Sequence, residues 1–330
     1  MQAIYRSEPD GRLSETDEIV DGSWISLIDP TPGESAAVAK QCGIDPDDLR
    51  AALDVEERSR VTSEEGYVLV LVDVPTQEPR AGRQWYVTIP LGIVITDHVI
   101  ITVCLEHVPL IGEFETGRIR DWRTFMKTRF TLQLLLRNAR AYLSALRVID
   151  KMIDRQEARL RRSASNAELI EMLELEKSLV YLNTSLISNQ RVLDRLVRTS
   201  ALKKYPEDED LLEDTIIENE QAMEMAGIYS GILSGMMDAY ASVIANNQNA
   251  IMKTLALVTI VMAIPNLVFS AYGMNVAGEG MPLAASRWGF MIVIVSAVLV
   301  AVIAGLALTR SRLFDWSSPL DRRSRRRLPD

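Results

Sequence analysis

The sequence predicts a membrane protein of the α+β class: a cytoplasmic α/β domain at the N-terminus, a long helical stalk, and two transmembrane helices at the C-terminus. Three observations lead there. Residues 254–272 (TLALVTIVMAIPNLVFSAY) and 288–308 (WGFMIVIVSAVLVAVIAGLAL) carry no charge. The first covers about 28 Å as a helix, enough for a typical hydrocarbon core. No proline interrupts the helix-forming run between Pro206 and Pro265. Before residue 106, by contrast, the chain carries short runs rich in β-branched residues. The boundaries read as 1–120 for the α/β domain, 121–253 for the stalk, 254–309 for the membrane hairpin with its loop 273–287, and 310–330 for a basic tail.

In chain order, Trp24–Ile28 alternates as a strand and stops at Asp29-Pro30-Thr31-Pro32. Thr31-Pro32-Gly33-Glu34 opens a helix with a threonine cap, a first-turn proline and a glutamate three residues on. Asp45-Pro46 starts another short helix. Residues 67–74, 85–95 and 99–103 read as sheet strands, with 79–83 as the hairpin loop between the first two. Residues 121–163 show Phe125, Leu132, Leu135, Leu136, Leu143, Leu146 and Ile149 at heptad-like intervals. Residues 166–200 repeat this with Leu169, Met172, Leu173, Leu179, Leu182, Leu186 and Leu193, so the two form an antiparallel hairpin. Pro206 starts a third helix, and the acids 207–210 suit the positive end of its dipole. Continued to Tyr272, it makes one rod of roughly 100 Å, about 70 Å of it outside the membrane.

Charge is distributed unevenly along the chain. The net charge is −9; the tail holds seven basic and three acidic residues and the membrane hairpin region 251–309 a net +1, leaving −14 in residues 1–250. An acidic body argues against nucleic acid and suits cations. Cys42 and Cys104 are too few for a disulfide framework and are expected to be buried thiols; His98 and His107 lack zinc-ligand spacing. The N-terminus has no apolar signal region, so the body is expected not to be secreted. The basic tail is expected on the cytoplasmic side, which puts residues 1–250 there too and the loop 273–287 outside.

The third helix is not evenly apolar. Asp238, Ser242, Ala245, Asn249, Met252, Ala256, Thr259, Ala263, Asn266 and Ser270 follow one another at alternating intervals of four and three. That is a seam of period 3.5, which keeps one face turned toward partners over many turns. Gly227, Gly231, Ser234 and Gly235 continue it away from the membrane. Close packing of helices accounts for small residues alone. Two amides and an aspartate on the same line favour a ring of helices around a wet axis.

Directly after this helix comes Tyr272-Gly273-Met274-Asn275, in the context SAYGMNV. With two C-terminal apolar helices, a short loop and a basic tail, this resembles the CorA-type magnesium transporter family; NAIMKTL (249–255) and SGMMDAY (234–240) are similar to that family's pore helix. The resemblance implies a homopentameric funnel in the inner or plasma membrane, with the long helices lining an axial pore and the second membrane helices outside. It implies an outer selectivity ring at Asn275, with Gly273 and Met274 holding its geometry. Pore lining is implied at Asp238 and Asn249, with Thr259 and Asn266 on the same seam. It implies a hydrophobic gate at Met252 and Leu255, and a cytoplasmic divalent-ion sensor that includes Asp214. The transported and regulatory ion would be Mg2+, with no organic cofactor.

The chemistry fits a hydrated ion. Magnesium dehydrates reluctantly and demands octahedral geometry, so neutral carbonyl oxygens touching its water shell select it without trapping it. One departure from the family's pattern is Leu283 after Met281-Pro282, where an acid is common; Glu279 is the only acid in the loop. Alternatives are a transporter of zinc, cobalt or nickel from the same superfamily, and a membrane-anchored sensor or scaffold, which gains nothing from Asn266 and Asn275. An enzyme has no acid–base pair, nucleophile or cofactor loop to support it.

Overall fold

The computed structural model describes residues 2–8, 12–80, 82–119, 121–160, 166–198, 205–274, 282–283 and 286–310. It divides into two compact units, 1–238 and 239–330.

In the first unit seven strands form one sheet: β1 (Gln2–Ser7), β2 (Leu13–Glu15), β3 (Trp24–Ile28), β4 (Arg60–Glu64), β5 (Tyr67–Arg80), β6 (Arg83–Thr96) and β7 (Ile100–Cys104), in the order β2-β1-β3-β7-β6-β5-β4. Every neighbouring pair is antiparallel except β3 and β7. The runs look continuously apolar because both faces are covered. Val68, Val70, Val72 and Val74 point into one cluster, and Tyr67, Leu69 and Leu71 into the other.

Helices α1 (Pro32–Cys42) and α2 (Pro46–Ala51) cover the second face. Thr31 caps α1 as its sequence anticipates, with Glu34 closing a reciprocal capping box. The chain beyond α2 lies so close to the sheet that a Cβ on Gly92 would stand 2.6 Å from that of Ala52, which leaves glycine the residue that fits. Helix α3 (Pro109–Glu115) and the ends of α4 (Lys127–Leu160) and α5 (Asn166–Arg198) cover the first face, around Trp24, Phe114, Trp122 and Phe130. Trp24 settles its indole N–H on Thr102 Oγ1 at 2.9 Å.

Farther out, α4 and α5 pack on each other through Leu143, Leu146, Ile149, Met172, Leu179 and Leu182. Ala222, Ala226 and Leu233 of α6 (Pro206–Tyr272) enter the same core. Residues 121–238 thus share cores with the sheet instead of forming a separate body.

Several expectations shift. The β5–β6 hairpin stays paired out to Arg80 and Arg83, so the connection is shorter than 79–83. α4 begins at Lys127, not residue 121, and Phe125 is exposed, as is Leu173 on α5. Cys104 is buried but Cys42 only partly. His98 and His107 are exposed, each beside a carboxylate, Asp21 at 3.3 Å and Glu115 at 3.1 Å. Strands β1, β2 and β4 and helix α3 were not legible in the sequence.

The second unit holds the rest of α6 and α7 (Gly289–Arg310), the two helices among the described residues that are long and apolar enough to cross a membrane. α6 runs unbroken through Pro265. On α7, Gly289, Val293, Ala297 and Ala301 are buried at intervals of four, a line of mostly small residues that lets two helices approach. The next position, Gly305, has Val261 Cγ2 of α6 3.3 Å from where its Cβ would be.

A candidate ion-conducting face on the long helix

A straight helix turns about 100° per residue, so the partly buried Leu257, Val261, Ile264 and Val268 share one side of α6, the side that meets Gly305 of α7. The seam predicted from the sequence falls on the opposite side. Asp238, Ser242, Ala245, Asn249, Met252, Ala256, Thr259, Ala263, Asn266 and Ser270 are all exposed. Gly227, Gly231 and Gly235 are exposed as well, with nothing within 4 Å of where a side chain would start. One α7 therefore cannot satisfy both faces. The α7 side is partly covered within the chain; the small and polar seam, with exposed apolar residues such as Met262 and Leu267 beside it, is left for another partner, lipid or water.

Local chemistry along this face is specific. Thr259 donates its hydroxyl proton to the Leu255 carbonyl at 2.8 Å, which removes the cost of a free donor and leaves the oxygen's lone pairs outward. Thr254 does the same toward Ala250 at 2.9 Å. Met252 and Leu255 are 62% and 58% exposed, large apolar side chains among small ones. Pro265 cannot donate a backbone proton to Val261, on the α7 side of the helix.

At the end of α6 the Gly273 N–H reaches the Phe269 and Ser270 carbonyls at 3.0 and 3.2 Å. Tyr272 Oη donates to the Pro282 carbonyl at 3.0 Å, tying the helix end to the chain that leads into α7. Met274 is 60% exposed beyond it. Asn275, Glu279 and the tail 311–330 lie outside the described residues.

Asp214, expected in the divalent-ion sensor, lies elsewhere on α6. Asp214 is exposed on α6, eight residues from its start, and no ion pair involves it among the described residues. No group of three or more His, Cys, Asp or Glu side chains suited to a metal occurs among the described residues. Nearby, Asp208 lies 3.3 Å from Arg129. Burial nevertheless raises its pKa above the ordinary aspartate value, the guanidinium only partly opposing it.

Known proteins give this geometry a context. The profile of a family described as CorA-like Mg2+ transporter protein matches residues 21–310. The chain is 29% identical over 297 residues to the cobalt/magnesium transport protein CorA of Methanocaldococcus jannaschii, covering 87% of this chain and 90% of that one. It is 24% identical over 265 residues to the protein of the same description from Thermotoga maritima, covering 79% and 74%. The solved structure of the complete CorA magnesium transporter from M. jannaschii superposes with a TM-score of 0.80 at 26% identity, over 94% of this chain and 98% of that one. The chain belongs to the CorA-like Mg2+ transporter family.

Proposed function

We propose that this chain is a channel-type transporter of hydrated divalent cations, with magnesium as its main cargo. In this proposal five copies surround a pore lined by α6. The observation that carries it is the exposed polar seam of α6 on the side opposite α7. A membrane anchor would turn lipid-compatible residues outward there; Thr259, Asn266 and Ser270 are costly against lipid and suit water or neighbouring copies. The relatives from M. jannaschii and T. maritima are described as cobalt/magnesium transport proteins, which agrees with this cargo.

Asn275 forms the outer recognition ring, its carbonyl oxygens accepting from the ion's water shell, with Gly273 and Met274 setting the approach. Met252 and Leu255 close the path by excluding water, and Asp238 and Asn249 draw cations to the inner mouth. Asp214 belongs to a sensor completed by a neighbouring copy. Both termini lie in the cytoplasm, and neither a nucleic acid nor an organic cofactor takes part.

The test is uptake of magnesium, cobalt and zinc into liposomes holding the purified protein. Magnesium uptake is expected to exceed zinc uptake, and Asn275→Ala to abolish it while native mass shows an unchanged oligomer. Wild-type uptake by that variant would remove the selectivity ring; no uptake by the wild type would remove the function.

A further inference from the structure

Where α6 ends and α7 begins, a slot of 680 Å3 opens on the membrane unit. Phe269 on one helix and Phe290, Val293 and Ile294 on the other give it apolar lining, and Arg287 and Tyr272 line it as well. Arg287 is the sole cationic residue between Lys253 and Arg310. It is exposed and forms no ion pair among the described residues.

Two successive turns fix its position. The Ser286 N–H reaches the Leu283 carbonyl at 3.1 Å and the Gly289 N–H the Ser286 carbonyl at 3.0 Å. Leu283 adopts φ 66°, and a methyl group on Gly289 would overlap the Leu283 carbonyl. Trp288 and Phe290, 67% and 77% exposed, follow the arginine, as aromatic residues gather at a membrane–water boundary.

We propose that this slot binds an anionic phospholipid, its phosphate on Arg287 and one acyl chain along Phe269, Phe290, Val293 and Ile294. The proposal rests on α6 and α7 spanning the bilayer. A guanidinium presents paired donors that match phosphate oxygens. A soluble phosphate ion would gain nothing from the four apolar side chains below. A zwitterionic lipid brings its own ammonium, which competes with Arg287 for the phosphate, so a cation with no ion-pair partner among the described residues favours a headgroup with net negative charge.

Trp288 reports on the site. Trp24, Trp85 and Trp122 are buried in the first unit, so with Trp316→Phe the quenching by brominated acyl chains comes from Trp288. The full-length protein is reconstituted in vesicles in which dibrominated phosphatidylglycerol or dibrominated phosphatidylcholine is the minor component. The phosphatidylglycerol is expected to bind about fivefold tighter, the equivalent of ~1 kcal/mol for one cation near the surface. Arg287→Gln should bring the ratio to unity and Arg287→Lys should retain most of it. A ratio of unity in the Arg287 protein overturns the proposal whatever the variants do, and so does an unchanged ratio in Arg287→Gln. If neither lipid quenches Trp288, the membrane assignment of the helices itself fails.

Discussion

The side-chain amide of Asn189 binds both main-chain groups of Asp73, accepting its N–H at 2.9 Å and donating to its carbonyl at 2.8 Å. Strand β4 begins with Arg60 opposite Leu71, so this amide from α5 binds β5 two residues past the last pair, along the edge that β4 leaves open. Asn138 and Tyr142 of α4 reach the same carbonyl at 2.8 and 3.1 Å. Asn189→Leu leaves the Asp73 carbonyl supported but its N–H unpaired. A loss of about 1–3 kcal/mol is expected for one buried donor. The denaturation midpoint of the full-length protein, followed by tryptophan fluorescence, should fall; an unchanged midpoint would mean the amide only decorates the strand.

The Asp73 carboxyl gives a pH signature. Burial raises its pKa above the ordinary aspartate value, with hydrogen bonds from Ser185 and Ser59 opposing the rise. A raised folded-state value means that the folded protein favours the protonated acid. This contribution is fully present below the unfolded-state value and is lost as pH climbs through the folded one. The stability of the wild type minus that of Asp73→Asn should therefore decline as pH rises past the usual carboxylate range and then level off. A difference that is flat with pH, in paired melts across that window, would rule out the effect.

Met252 is the large apolar side chain on the exposed seam of α6. If it excludes water from the path, Met252→Ser admits water and raises basal current at high internal magnesium. Whole-cell or bilayer recording of the variant at normal expression checks this; wild-type basal current there would move the gate elsewhere.

Asp214 tests regulation. Residues 1–250 carry a net −14, and in the proposed assembly copies of so acidic a body would repel until a divalent ion bridged them. Binding must differ between closed and open states to shift them. Protease resistance should rise with magnesium in the wild type. Asp214→Lys should move that midpoint together with the midpoint of uptake inhibition; midpoints that both stay in place would exclude Asp214 as a ligand.

The parts of the fold legible in the sequence are those whose signal is local. Pro206 and Tyr272 bound α6 because proline fits a first turn and Gly273 follows the last; the helix has 67 residues. The Thr31–Glu34 box is complete within four residues. β1 and β4 carry little local signal because each buries little on its own: Ile4 is the buried residue of one and Val61 of the other. Such strands persist through their neighbours' hydrogen bonds. The Asn189–Asp73 clip joins residues 116 apart, and no pattern along the chain announces it. The polar seam of α6 was legible as a periodicity. That it faces away from α7 required the packing of Val261 on Gly305.

Thr259 has a consequence for ion sign. Its proton is committed to Leu255, so the hydroxyl can only accept from what passes it. Water around a cation turns its hydrogens outward; water around an anion turns its oxygens outward. In the proposed pore, a wall of such oxygens welcomes the first shell and offers nothing to the second. The helix thereby reads the orientation of an ion's solvent, and discriminates polarity at that level without spending a formal charge inside the bilayer.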